Sequence, residues 1–247
     1  MACTHKFYGH KSHLEGFNGL LPNWKVKTLI IGTFNPELEW HSTNTADYYY
    51  GRNTNLFWDV LPRFSGLDAI DRQDINLQIK FLKLKEIGVT DLLISINDAS
   101  LKDPEHVLRI KSVKDKEIEK FTDFTWNTSN IINYIKRNNI KEVYFTKLGD
   151  LKRKKAKYDS FEEQIRIIEK ACADKKIINS RLHTPSGQGL GKGSPRANAL
   201  MHRWYNENGA NKFLFLDPAF NLKHFPITCK QEEQLTTEEY NIISASS

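Results

Sequence analysis

Leu29, Ile30 and Ile31 form an apolar run that stops at Gly32 and enters a turn containing Asn35-Pro36. A short apolar run without alternation is the pattern of a strand buried on both faces, as strands of parallel sheets are. Such a strand hands its next residues to the carboxyl edge of the sheet, where α/β proteins keep their sites. The rest of the chain supplies helices to cover that sheet. Residues 26–31 read as the first strand and 55–64 as a helix, with Leu56, Val60 and Phe64 along one face. A second amphipathic helix spans 75–86, and VTDLLISI, residues 89–96, reads as strand two. Residues 129–138 are helical with Ile131, Ile132 and Ile135 inward, and 142–146 form strand three. Ser160 opens a capping box with Glu163, ahead of a stripe of Phe161, Ile165, Ile168 and Cys172. Residues 176–182 read as strand four. Ser194-Pro195 starts a helix that buries Leu200, Met201 and Trp204 and can end at Gly209. Residues 212–216 read as a short fifth strand, and the charged stretch 102–120 as an irregular excursion. Alternating strands and helices make the fold class α/β, with a mainly parallel sheet covered on both faces.

The 247 residues contain no Gly/Ser- or Pro-rich linker, so a single domain over 1–247 is expected, with 1–24 as an N-terminal extension and 230–247 as a polar, acidic tail. The balance of 36 Lys+Arg against 30 Asp+Glu, a net +6, favours a polyanionic partner such as DNA. Cys3, Cys172 and Cys229 lie far apart and form neither a disulfide framework nor a cluster motif. Cys3, His5, His10 and His13 match no standard zinc spacing, so no metal or other cofactor is expected. No apolar run suits a signal peptide or a membrane span. The expected setting is cytoplasmic, with no membrane and no obligate protein partner, and the chain is expected to be a monomer.

Two segments carry candidate chemistry. YYYGRNTNLFW, residues 48–58, sets aromatic rings beside Arg52, Asn53 and Asn55, a composition suited to a planar, hydrogen-bonding ligand such as a nucleobase. HTPSGQGLGKGSPRANA, residues 183–199, alternates Gly187, Gly189, Gly191 and Gly193 ahead of a helix start. A glycine-rich segment lets backbone approach a ligand closely, and a helix start favours phosphate. It is not a P-loop: the leading glycine position is Ser186, and Gly193 follows Lys192 where a serine or threonine is needed. Leu190, in the middle of the polar loop, reads either as a wedge for a base stack or as a packed side chain. Lys152 to Lys157, with Lys154 at its centre, reads as a backbone-contacting basic cluster or as a solvated helix start.

Taken together these segments resemble the uracil-DNA glycosylase superfamily. GTFNP is similar to its first motif in the form used by the mismatch-specific and hypoxanthine branches, and YYYGRNTNLFW to its tyrosine-rich segment. Residues 87–103 resemble its second strand and the region after it. LHTPSG with SPRANA resembles the second catalytic motif split by an insertion. The resemblance implies a three-layer α/β/α sandwich with a four-stranded, mainly parallel sheet, and a monofunctional, metal-free glycosylase that flips out and hydrolytically excises a base. It implies that Asn35 positions water, with Asn55 reading the base or acting as a second catalytic amide. Phe57 stacks on the base in the tyrosine-rich segment with Tyr50, and backbone amides at Thr33 and Phe34 meet a base carbonyl. His183 donates to the departing base, Ser186 and Arg196 hold phosphates with Gly187 and Lys192 in the same loop, and Leu190 fills the vacated stack. The chain departs from the uracil-specific pattern at Glu37, where that branch has a tyrosine that excludes larger bases, and at His183, one residue further from its proline. A bulky modified pyrimidine, such as a decorated cytosine in foreign DNA, is therefore expected over plain uracil. The alternatives are a conventional uracil or hypoxanthine repair enzyme, a non-catalytic nucleic-acid-binding module and a nucleotide hydrolase.

Overall fold

The computed structural model describes residues 2–8, 17–40, 46–149, 158–187, 190, 195–209 and 213–227. Lys154, Lys192, Ser194 and the tail lie outside these. The strands are β1 (Cys3–Thr4), β2 (Phe17–Asn18), β3 (Leu21–Pro22), β4 (Thr28–Gly32), β5 (Ile87–Asp91), β6 (Leu93–Ile96), β7 (Phe124–Trp126), β8 (Glu142–Phe145) and β9 (Ile178–Arg181). The helices are α1 (Phe57–Phe64), α2 (Ile75–Leu84), α3 (Pro104–Lys111), α4 (Asp115–Ile118), α5 (Thr128–Arg137), α6 (Phe161–Asp174) and α7 (Arg196–Glu207).

The central sheet has four strands in the order β5-β4-β8-β9, all parallel. Alternation on β4 divides the core. Ile30 faces one apolar cluster with Val89, Tyr144, Phe57, Leu61, Leu200 and Trp204. Leu29 and Ile31 face the other, with Val143, Phe145, Ile131, Ile165 and Ile168. Helices α1, α2 and α7 therefore cover one face, and α3, α5 and α6 the other. This is the expected α/β/α sandwich.

Strand two of the sequence reading splits at Leu92. Asp91 ends β5 in the parallel sheet, whereas β6 joins a separate antiparallel sheet in the order β1-β6-β7. Asn127 pins the break, donating from Nδ2 to the Asp91 carbonyl (2.9 Å) and to Thr90 Oγ1 (3.1 Å). The excursion over 102–120 folds instead into α3 and α4. Asp103 caps α3 by accepting from the Glu105 amide at 2.9 Å, and Pro104 fits its first turn. Ser160 accepts from the Glu163 amide at 3.3 Å, as a capping box requires, but the Glu163 carboxylate reaches back to the Asp159 amide. Helix α7 begins at Arg196, with Pro195 at the N-cap and no side-chain cap, and Gly209, at φ +62°, follows its end.

The expected fifth strand is a turn in its described part. Phe213 and Phe215 are buried and Leu214 is 55 % exposed, so the alternation is real. The Leu214 amide, however, donates to the Glu142 carboxylate (3.1 Å) and not to a neighbouring strand. Glu142 also accepts from Thr28 Oγ1 at 2.9 Å, and burial raises its pKa above the usual 4.5. A raised folded-state pKa means that the folded chain holds the proton more tightly than the unfolded one. The stability it contributes is complete below pH about 4.5 and is lost as pH rises through the folded value. Glu142→Gln is expected to flatten this part of the stability–pH curve, measured by urea unfolding at successive pH values.

Candidate functional site

The central strands run β5-β4-β8-β9, so the order reverses beside β4, between its neighbours β5 and β8. A crevice at the carboxyl edge is expected at such a point. A cleft of about 720 Å³ opens there. Its wall takes Thr33, Phe34 and Asn35 from the turn after β4, Asp91 from the end of β5, Thr146 to Leu148 after β8, and His183 to Ser186 after β9. Tyr49, Tyr50, Arg52 and Asn55 enter from the aromatic loop, and Ser112 to Lys116 from the α3–α4 link. Two loops are tied together at the mouth, where the Leu56 amide donates to the Pro185 carbonyl at 2.7 Å.

Asn35 is 9 % exposed. Its Oδ1 accepts from Arg52 at 3.0 Å, which orients the amide, and its Nδ2 is buried without a partner among the described residues. A buried amide nitrogen with an unmet hydrogen bond is costly and marks a place for a ligand or water. Burial lowers the Arg52 pKa from its ordinary value, opposed by the nearby Asp91 charge.

Asn55 lies in the cleft wall and uses its Oδ1 to accept from the Phe57 amide at 2.9 Å. Phe57 does not line the cleft. It is fully buried, and the Tyr50 ring stacks on it at 4.1 Å and 11°. The face expected to meet a base on Phe57 is therefore covered, and Tyr50 is the ring that lines the cleft. Tyr50 sits at φ +56° and shares a 3.0 Å hydrogen bond with Thr146 Oγ1. A left-handed backbone at a bulky residue is uncommon, and here stacking and the hydroxyl contact hold it.

His183 is buried in the wall. Its Nδ1 faces Arg203 at 3.4 Å, and its carbonyl accepts from Trp204 Nε1 at 2.8 Å. A guanidinium can only donate, so Nδ1 accepts and the neutral ring carries its proton on Nε2. Ser186 lines the mouth, with Thr184 Oγ1 at 3.2 Å from its hydroxyl. Arg196 lies outside the lining and donates to the Gly187 carbonyl. Gly187 is at φ +76°, and a Cβ there would lie 2.5 Å from that guanidinium. Leu190 corrects its reading as an exposed wedge: it is 2 % exposed and belongs to the cluster of Phe57, Leu182 and Trp204. Glu37 is buried outside the cleft lining, where its charge raises the Cys3 thiol pKa further beyond what burial alone does.

Sequence reasoning missed four contributors. Asp91 stood inside an apolar run, and its partner His5 lies 86 residues away at 2.7 Å. Lys114 and Lys116 reach the rim from a stretch read as irregular, although the Asp103-Pro104 cap signal was present. Lys147, also at the rim, is paired with Asp115 at 2.6 Å. Among the described residues no group of three or more His, Cys, Asp or Glu could hold a metal ion, and no helix is long and apolar enough to cross a membrane.

No family model matches the chain, and no curated protein does. A solution NMR structure described as "a putative Uracil DNA glycosylase from Methanosarcina acetivorans" is similar to it at 14 % identity and a TM-score of 0.41, over 73 % of this chain and 89 % of that one.

Proposed function

We propose that this chain is a monofunctional DNA glycosylase that takes an extruded nucleotide into the cleft and hydrolyses its base–sugar bond. The observation that carries this reading is Asn35 in the cleft wall, its Oδ1 held by Arg52 and its buried Nδ2 without a hydrogen-bond partner among the described residues. In the reaction the C1′–N bond breaks and the base leaves with the electron pair, while water adds to the cationic sugar carbon and passes its proton through solvent to the departing base anion. An amide N–H can hold the water oxygen in line with that carbon, which is catalysis by positioning. The backbone after β4 offers donors to the charge on the departing base, where pre-aimed donors count most, and His183 lines the same cleft. Ser186, Lys114 and Lys116 ring the mouth and suit phosphate contacts.

The substrate favoured is a bulky modified pyrimidine, with a defence role against foreign DNA. Two features support a base larger than uracil. The cleft lies in the roughly 300–1,000 Å³ range of small-molecule sites. Glu37, the residue after Pro36, where a side chain would narrow a uracil pocket, is not among the residues that line the cleft. The stacked Tyr50 favours one second reading, a non-catalytic module that binds nucleic acid without taking in a base, because the ring fills the face on which a base would lie against Phe57.

The test is base release from duplexes carrying uracil, hypoxanthine, 5-hydroxymethylcytosine or glucosylated 5-hydroxymethylcytosine, with the freed base identified by mass spectrometry. Release of a modified cytosine is expected. Release of uracil alone would return the chain to repair. Tight binding with no release from any duplex would favour the binding module.

A further inference from the structure

Asp91 is a carboxylate in the cleft wall that the mechanism above does not use. It is 5 % exposed and ends β5 opposite Gly32, three residues before Asn35. It therefore lies at the floor, beneath the turn that holds Asn35, while Ser186, Lys114 and Lys116 stand at the mouth. A nucleotide that keeps its phosphates outside presents its sugar to the upper wall and the far edge of its base to the floor.

The support behind Asp91 is unusual. His5 is fully buried and enclosed by the rings of Phe7, Phe34 and Tyr49. Its Nδ1 accepts from the Phe7 amide at 3.1 Å, so its proton sits on Nε2, which donates to Asp91 Oδ2 at 2.7 Å. Histidine is therefore the support, and the carboxylate is the group turned to the cleft. With Oδ2 occupied, Oδ1 remains, and among the described residues it takes no hydrogen bond. Gly32 clears its place, since a Cβ there would lie 2.2 Å from Oδ1. A second neighbour of that place, the Tyr50 hydroxyl, is already engaged with Thr146.

We propose that Asp91, fixed by His5, reads the far edge of the bound base and selects one that carries an exocyclic amino group there. This rests on the glycosylase reading of the cleft. A carboxylate oxygen only accepts, so an amino N–H satisfies it, whereas a keto oxygen in the same place brings two acceptors together and leaves both unpaired. A site built to hydrogen-bond one polar group rejects the analogue lacking it far more strongly than an apolar pocket rejects a change of size. The substrate class is thus an amino-bearing, cytosine-like base, and the keto edge of a uracil-like base is disfavoured. His5 is a positioning residue and Asp91 the specificity determinant.

The test separates recognition from cleavage. Two duplexes carry 5-hydroxymethylcytosine or 5-hydroxymethyluracil, identical except for amino or oxo at ring position 4. Each base lies opposite an abasic position, so neither pays for a broken pair. A 2′-fluorine on its sugar disfavours the cationic transition state and keeps the base in place. The full-length protein is expected to bind the amino duplex about tenfold more tightly, the worth of one good buried hydrogen bond. Asp91→Asn, whose amide can present either oxygen or nitrogen, is expected to cut this ratio to about twofold or less, and His5→Gln to an intermediate value. Equal affinity for the two duplexes, preference for the oxo form, or no gain over a duplex lacking the base would overturn the proposal in the unaltered protein, whether or not the variants fold. Cleavable versions of the same duplexes test the underlying reading separately. Release of both bases with no difference in affinity defeats the specificity claim alone. A clear affinity difference with no release from any duplex defeats the glycosylase reading alone.

Discussion

Replacing Asn35 by alanine is expected to lower base release by about 10²–10³-fold while duplex affinity changes little, since this is the usual cost of removing one pre-aimed donor from a reacting site. The expectation follows from which half of the amide is free. Arg52 holds Oδ1 at 3.0 Å, and Nδ2 is buried without a partner among the described residues. Alanine removes both halves, so a second substitution is needed to tell them apart. Asn35→Asp keeps the oxygen that Arg52 grips and replaces the free donor with an acceptor. If Nδ2 holds the attacking water, aspartate should fail nearly as badly as alanine in single-turnover kinetics. An aspartate variant as fast as the unaltered protein, or faster, would show that the site needs an acceptor for the water's proton, and that Nδ2 is not the working atom. Loss of DNA binding with alanine, in parallel with activity, would show that Asn35 holds the nucleotide rather than the water.

The fold was largely legible in the sequence, because its signals are local. The apolar run 29–31 and the helix stripes on α1, α5 and α6 depend on spacing alone, and the sheet they imply is the one formed. Errors arose where a distant group decides the outcome. Residues 89–96 carry one continuous strand pattern, yet Asn127 breaks it from 36 residues away. Residues 213–216 alternate like a strand, yet the Leu214 amide bonds a side chain on β8. The site divides in the same way. Thr33, Phe34, Asn35, Asn55 and His183 converge because each follows a strand or opens a helix that the sequence reveals. The two readings of Leu190 stay open in the sequence because neither its loop nor its polar neighbours disclose the cluster it joins. Phe57 was given to the ligand because no spacing rule announces that Tyr50 will lie upon it. The His5–Asp91 pair joins an N-terminal segment to a central strand, a juxtaposition that only the folded chain makes.

Gly32→Ala is expected to cost roughly 2–3 kcal/mol of stability, within the range for overpacking a tight core, and to remove nearly all activity from the molecules that remain folded. An added Cβ would lie 2.2 Å from Asp91 Oδ1 and 2.7 Å from the Tyr50 hydroxyl. Neither neighbour gives way freely. Asp91 is held by His5, while Tyr50 is stacked on Phe57 and hydrogen-bonded to Thr146. The backbone cannot retreat either, because Gly32 closes the β4–β5 ladder and accepts from the Leu92 amide at 3.0 Å. The strain must therefore be relieved by displacing the cleft floor, the ring above it, or both. Gly88→Ala supplies the comparison. A Cβ at Gly88 would lie 2.9 Å from Pro22 and 3.1 Å from Val26, so it also overpacks β5, but against residues that do not line the cleft. Both variants should lower the urea midpoint, and only Gly32→Ala should lower base release per folded molecule. Equal loss of activity in the two, once corrected for the folded fraction, would mean that general loosening of the sheet, rather than the position of Asp91 and Tyr50, limits the reaction.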